Sequence, residues 1–100
     1  MALVKPQFEA GPEQVGKGGI IRDPEVHRQV LLDVIRKALE CGYSYRGLTY
    51  SPVTGADGNL EFFLWLAVDQ DRAERDFEED VEAVVDLAHS ELLDRRSKST

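Results

Sequence analysis

The sequence has little of several features that mark common protein classes. It contains one cysteine, Cys41, so an internal disulfide is excluded, as expected for a protein of the reducing cytoplasm. No apolar run approaches the roughly 20 residues that a membrane-spanning helix needs. The first residues lack the apolar core of a signal peptide. We therefore expect a cytoplasmic protein, with Cys41 as a buried or half-buried thiol at the end of a helix.

The charge is negative but unevenly distributed. The chain has 12 Lys and Arg against 19 Asp and Glu, a net charge of −7 that argues at face value against nucleic-acid binding. Residues 1–68 hold 7 basic and 8 acidic side chains, whereas residues 69–100 hold 5 and 11. We interpret the acidic segment as the solvated face of a helix. The nearly neutral remainder leaves room for a local basic patch that contacts a polyanion.

The apolar pattern and the turn residues predict one domain over residues 1–100, with strand, helix, strand, strand and helix in that order. The predicted elements are a strand at 1–4, a flexible loop at 7–22, a helix between Asp23 and Gly42, strands at 43–50 and 60–68, a helix from Asp69 onward and a frayed tail at 96–100. Residues 60–68 are almost wholly apolar, which is typical of a strand covered on both faces.

This order predicts an α/β fold with a three-stranded mixed sheet. The strand–helix–strand unit makes the first two strands parallel, and a short loop then returns the third strand antiparallel between them. Lys5 and Glu61 would lie at the same sheet edge, beyond the ends of the first two strands, where open α/β sheets bind ligands. They form either a plain ion pair or an active-site lysine that is oriented by a carboxylate.

Two stretches resemble known binding loops but lack residues that those loops require. The stretch GPEQVGKGG resembles a nucleotide-binding loop, but Gly18 replaces the required Ser or Thr, and the helix begins only at Asp23-Pro24. Asp69, Asp71 and Asp80 match calcium-loop positions, but the position that needs glycine is Glu74. We therefore expect no metal site.

Three stretches in this order carry a family resemblance: LVKPQFEAG, VGKGGIIRDPEVH and SPVTGADGNLEFFLWL. Together they resemble the C-terminal part of the hemolysin-A-type ribosomal RNA methyltransferases, relatives of the FtsJ-type 2′-O-ribose methyltransferases. The resemblance covers residues 2–68 and continues more loosely through the last helix. It implies the C-terminal half of a Rossmann-like sheet that belongs to an S-adenosylmethionine-dependent enzyme acting on ribosomal RNA.

The resemblance also implies roles for particular residues. Lys5 corresponds to the second lysine of the family's Lys-Asp-Lys-Glu tetrad, and would accept the proton of a ribose 2′-hydroxyl. Glu61 corresponds to the glutamate of the tetrad and would orient and tune the lysines. Phe8, Lys17 and Arg22 would line the RNA side, with the two cations as phosphate contacts.

The sequence departs from the family by what it lacks: the Gly-rich cofactor loop, the acidic ribose-binding position, the first lysine and the aspartate of the tetrad, and the S4-like domain. We expect a fragment that is inactive alone, whose cofactor-binding residues lie mostly outside these 100 residues.

The edge of the first strand is expected to be unpaired, which predicts a homodimer as a hypothesis. The alternative function is a non-catalytic module that docks a partner through the open edge or the acidic helix. A membrane-active protein is disfavoured, because no helix has a basic amphipathic face.

Overall fold

The N-terminal strand is short because a proline follows it almost at once. In the computed structural model, which describes residues 1–55, 58–68 and 77–94 without the side chains of residues 12, 17, 93 and 94, β1 spans Ala2–Val4. Pro6 cannot donate to a sheet and starts the short helix α1, Pro6–Glu9. Two 3₁₀ turns follow, Pro12–Gln14 and Lys17–Gly19. The predicted loop at 7–22 therefore contains helical turns, and its flexibility stays a prediction.

Both ends of the long helix α2, Pro24–Glu40, are set by local chemistry, as predicted. The Asp23 carboxylate accepts a hydrogen bond from the Glu25 N–H at 2.9 Å, and Pro24 occupies the first helical position. At the other end Gly42 has a φ of 93°. The N–H groups of Gly42 and Tyr43 donate to the carbonyls of Leu39 and Ala38, each at 3.1 Å, which closes the helix in a Schellman motif.

The expected burial of Cys41 is wrong, although its place at the helix end is right. Cys41 is the C-terminal cap of α2 and is exposed. Burial along the helix ends at Ile35, and Leu39 in the last turn is already 38% exposed. The final turn thus projects past the core, so the thiol faces solvent.

The sheet has the predicted strand order but not the predicted mixed pairing. β2 spans Ser44–Tyr50, β3 spans Phe62–Ala67, and the order is β1-β3-β2. β3 lies in the middle and pairs antiparallel with both neighbours. β1 and β2 consequently run in the same direction, as the helical crossover requires, but they do not touch, because β3 separates them. Every described pairing is antiparallel.

The two faces of the sheet are covered unequally, which corrects the expectation for β3. Phe62 and Leu64 are fully buried, whereas Trp65 is 40% exposed and Leu3 on β1 is 48% exposed. Both α2 and α3 (Phe77–Ala88) contribute to the core on the side of Phe62 and Leu64. Within the described residues, the opposite face carries no helix, so a wholly apolar strand here has only one covered face.

The C-terminal helix packs on α2 and β2. α3 continues into a π-helical segment, His89–Asp94. The Tyr45 hydroxyl donates to Asp80 at 2.6 Å, and the Arg28 guanidinium on α2 forms ion pairs with Glu82 at 3.1 Å and Asp86 at 2.6 Å on α3.

Several sequence expectations fall on parts of the chain that the structure does not describe. The predicted start of the last helix, the acidic positions 69 and 71 and the predicted tail at 96–100 lie outside the described residues. Among the described residues, none of the helices combines the length and the hydropathy that spanning a bilayer needs.

Candidate active site

The register of the sheet brings three strand ends to one edge. Val4 and Tyr50 both lie opposite Phe62, so β1 and β2 finish where β3 begins. The Ser51 N–H donates to the Glu61 carbonyl at 2.8 Å, which extends the pairing by one step beyond β2. The residues that follow β1 and β2 and precede β3 are therefore neighbours, as the predicted topology required.

Lys5 and Glu61 meet at this edge. The Lys5 Nζ lies 3.6 Å from Glu61 Oε2, with 43% of the lysine side chain and 17% of the glutamate side chain exposed. The carboxylate is thus largely enclosed, while the amine remains open to solvent. This arrangement places the amine beside the carboxylate and leaves it accessible to a bound molecule.

The other predicted residues surround the edge in different ways. Phe8 lies on α1, where its N–H donates to the Lys5 carbonyl at 3.0 Å, and its side chain is 76% exposed. Arg22 is exposed at the end of the Gly-rich segment, directly before the cap of α2. The Lys17 side chain lies outside the described part of the structure.

Sequence reasoning missed Asn59, which is 1% exposed beside the same edge. Its Oδ1 accepts from the Ile21 N–H at 2.9 Å, and its Nδ2 donates to the Gly19 carbonyl at 2.8 Å. A signal was present, because Asn59 sits between Gly58, whose φ is 91°, and the apolar run of β3. An asparagine so close to a buried strand needs partners for its amide.

A pair of histidines in contact, one of them fully buried, was also missed. His27 is fully buried, and its Nδ1 lies 2.7 Å from His89 Nε2. Burial, reinforced by the positive charge that His89 acquires and opposed by Asp23, lowers the pKa of His27 to about 4. His27 occupies the apolar stripe of α2, four residues before Leu31, and that position was the available signal.

Comparison with known proteins identifies the family. The model of the FtsJ-like methyltransferase family matches residues 1–68, more than half of the chain. The chain belongs to the FtsJ-like methyltransferases. It is 49% identical to the "Putative rRNA methyltransferase YqxC" of Bacillus subtilis, over 97% of this chain and 35% of that protein. The "16S/23S rRNA (cytidine-2'-O)-methyltransferase TlyA" of Mycobacterium tuberculosis is also 49% identical, over 71% of this chain and 26% of its own length.

A solved structure supports the same relationship. The "Putative hemolysin from Streptococcus thermophilus" superposes with a TM-score of 0.83 at 41% identity, covering 95% of this chain and 34% of that one. The resemblance to hemolysin-A-type rRNA methyltransferases is thus confirmed. This FtsJ-like chain spans about a third or less of the relatives named here, so the activity of a whole enzyme is a proposal for it.

The family implies S-adenosylmethionine as methyl donor, but the Gly-rich segment of this FtsJ-like chain does not fit that cofactor. Main-chain groups of this segment already bond to each other, since the Gly16 N–H donates to the Ile20 carbonyl at 3.1 Å. The Gly19 carbonyl and the Ile21 N–H are occupied by Asn59. The helix that follows begins with Asp23, an acidic cap, rather than with free N–H groups. The described residues therefore give no reason to place the donor on this segment.

Proposed function

We propose that this chain is the C-terminal part of the catalytic domain of an S-adenosylmethionine-dependent rRNA 2′-O-ribose methyltransferase. In this proposal it contributes Lys5 and Glu61 to the catalytic residues and requires the rest of the domain for activity. The contact between Lys5 and Glu61 at the sheet edge is the observation that carries the proposal, because it joins two motifs that are 56 positions apart in sequence.

Lys5 has a specific task in this proposal. Its amine accepts the proton that a ribose 2′-hydroxyl loses when the oxygen is methylated, so the O–H bond breaks as the N–H bond forms. The largely enclosed Glu61 carboxylate keeps this nitrogen at the sheet edge. The step needs the neutral amine, which desolvation or a neighbouring cation supplied by the rest of the domain would provide. Positioned proton transfer of this kind typically contributes a factor of about 10² to 10⁴ in rate.

The RNA would approach over the segment that follows Lys5. Phe8 offers an exposed ring on which a base can stack, and Arg22 offers a guanidinium for a phosphate. Lys17 is assigned to the same surface by the family resemblance. The acidic α3 is assigned no RNA contact in this proposal, because its surface charge would repel phosphates.

A chimera tests this proposal. The matched region of the Mycobacterium tuberculosis relative would be replaced by the corresponding region of this chain, and transfer of labelled methyl groups to rRNA cytidine would be measured. We expect Lys5→Ala to lower kcat by about 10² or more, with a smaller change in the KM for RNA. Glu61→Gln should lower kcat less than Lys5→Ala, because it removes the charge but leaves an amide near the amine.

Lys37→Ala is the matched control, since Lys37 is an exposed lysine on α2. It should leave methylation within about twofold of the unsubstituted chimera, as expected for the truncation of one exposed side chain. A Lys5→Ala chimera as active as the Lys37→Ala chimera would contradict the role of Lys5. A folded but inactive unsubstituted chimera would contradict the proposed function itself.

We also propose that two copies of this chain can pair through β1. β1 lies at one end of the sheet order, so its outer edge pairs with no strand among the described residues. Leu3 on this strand is 48% exposed. Pairing of two β1 strands would cover both features, and a monomer measured by light scattering at working concentration would contradict it. The same edge is the natural docking place if the chain acts as a non-catalytic module.

A further inference from the structure

Asn59 ties two distant parts of the chain together. Its buried amide accepts from Ile21 and donates to Gly19, across 38 and 40 positions of sequence. Both partners are main-chain groups, so the orientation of the amide is fixed: only the oxygen can accept from an N–H, and only the nitrogen can donate to a carbonyl. The side chain therefore acts as a two-point clamp on the Gly-rich segment.

The clamped segment is a single preformed turn. The Gly16 N–H donates to the Ile20 carbonyl, and the Gly19 N–H donates to the Gly16 carbonyl at 3.0 Å. Gly18 and Gly19 have φ values of 79° and 76°, which L side chains rarely adopt. A side chain at Gly16 would place its Cβ 2.7 Å from the Ile20 oxygen. Because the turn is closed on itself, fixing Gly19 and Ile21 fixes all of it.

The turn carries Arg22. This residue directly follows Ile21, and its Nη1 lies 3.4 Å from the position that a Cβ of Gly16 would occupy, so the guanidinium folds back over the turn. Asn59 itself stands two residues before Glu61, whose side chain contacts Lys5. One buried amide thus links the segment bearing Arg22 to the strand end that bears Glu61.

We propose that Asn59 is a positioning residue, which holds the Gly16–Arg22 turn so that Arg22 meets an RNA phosphate at a fixed distance from Lys5 and Glu61. This inference rests on the proposed function. It assigns no chemistry to Asn59, which is buried and reaches neither the RNA nor the reacting atoms. It predicts instead that substitutions of Asn59 and Arg22 have coupled, non-additive effects on RNA affinity.

The clamp is tested first by amide hydrogen exchange in the 100-residue chain, which needs neither RNA nor cofactor. Asn59→Ala should speed exchange at Ile21 by about tenfold relative to Phe63 in β3, as expected when one buried hydrogen bond is lost. Asn59→Asp should speed exchange at Ile21 less, because its carboxylate still accepts a hydrogen bond from the Ile21 N–H. This variant replaces Asn59→Ala in the test if Asn59→Ala does not fold. Val85→Ala, a change in the core on α3, should speed both amides by the same factor. Equal acceleration of Ile21 and Phe63 in both Asn59 variants would overturn the clamp.

The link to RNA is tested by a double-mutant cycle. The Kd for a fluorescein-labelled, cytidine-containing rRNA hairpin would be measured for the unchanged chain, Asn59→Ala, Arg22→Ala and the double variant. We expect each single change to weaken binding and to lower the dependence of log Kd on log salt by about 0.7 to 0.9, the loss of one phosphate contact. In the Arg22→Ala background, Asn59→Ala should change the Kd by less than about twofold.

The outcomes separate this inference from the function on which it rests. Additive effects of Asn59→Ala and Arg22→Ala would overturn the positioning role and leave the proposed function standing. Absence of RNA binding by the unchanged chain would overturn the RNA part of the inference and leave the proposed function, which the chimera tests, standing. The exchange data would still decide whether Asn59 clamps the turn.

Discussion

Glu61 and Phe62 are neighbours in sequence but belong to two regions that are built differently. Phe62 is fully buried in the core that β3 shares with α2 and α3. Glu61 stands at the sheet edge, where its partner Lys5 is 43% exposed. The core is held by apolar burial on one face of the sheet, whereas the edge is held by a few polar contacts. The comparison teaches that the covered face of the sheet supplies most of the stability, whereas the candidate catalytic residues lie on the rim, the sheet edge that carries Lys5 and Glu61.

The largest loss of stability is expected from a substitution in the buried core. Phe62→Ala removes a fully buried ring that also packs against the His27 ring at 5.8 Å between centroids. It should lower the free energy of unfolding by about 3–5 kcal/mol, the usual cost of such a cavity. Urea unfolding followed by circular dichroism gives the value.

Trp65→Ala is the matched control on the same strand. Trp65 is 40% exposed on the uncovered face, so its truncation should lower the free energy of unfolding by less than about 1 kcal/mol. Equal losses for Phe62→Ala and Trp65→Ala would show that the two faces of the sheet are covered alike, which would break the comparison.

The buried His27 predicts an effect of pH on the stability of the core. The pKa of His27 is lowered from 6.5 to about 4, so the unfolded chain binds more protons than the folded chain between these values. The free energy of unfolding should therefore have its full value above pH 6.5. It should decrease as the pH falls towards 4, by about 3 kcal/mol for this group. Urea unfolding across this pH range measures the loss.

His27→Gln isolates the contribution, because glutamine does not titrate in this range. The variant should lose about 3 kcal/mol less than the unchanged chain between pH 6.5 and 4, and His89→Gln should reduce the loss in part, since it removes the neighbouring positive charge. Parallel pH curves for the unchanged chain and His27→Gln would argue that protons are taken up elsewhere.

The smallest effect on stability is expected at the rim. The Lys5–Glu61 pair is partly exposed at a separation of 3.6 Å, so Lys5→Ala should change the free energy of unfolding by less than about 1 kcal/mol. The same variant should abolish most methyl transfer in the chimera. A loss of stability near that of Phe62→Ala would mean that Lys5 is a structural residue, and the distinction between core and rim would disappear.

Local chemistry made part of this structure predictable. Asp23, Pro24 and Gly42 gave both ends of α2 within a residue, because caps act over one turn of the chain. The meeting of Lys5 and Glu61 followed from strand order and direction alone, which depend on connection lengths.

Contacts between distant side chains were not predictable in the same way. The amide of Asn59 finds its partners about 40 positions away, and His27 meets His89 across 62 positions. Their spacing in sequence carries no period or cap that marks the contact. The uncovered face of β3 was missed for a related reason, since an apolar strand reads alike whether one or both faces are covered.

The sequence by itself determined the helix caps, the strand order and the family, because these are written in residues that act on their neighbours or recur together as motifs. The tertiary structure alone decided how the Gly-rich turn is held. The bonds of that turn come from a buried amide whose partners are main-chain groups, and main-chain groups leave no trace in side-chain identity. It also lowered the pKa of His27 from 6.5 to about 4, because burial, reinforced by His89 and opposed by Asp23, shifts a value that residue type alone would leave unchanged.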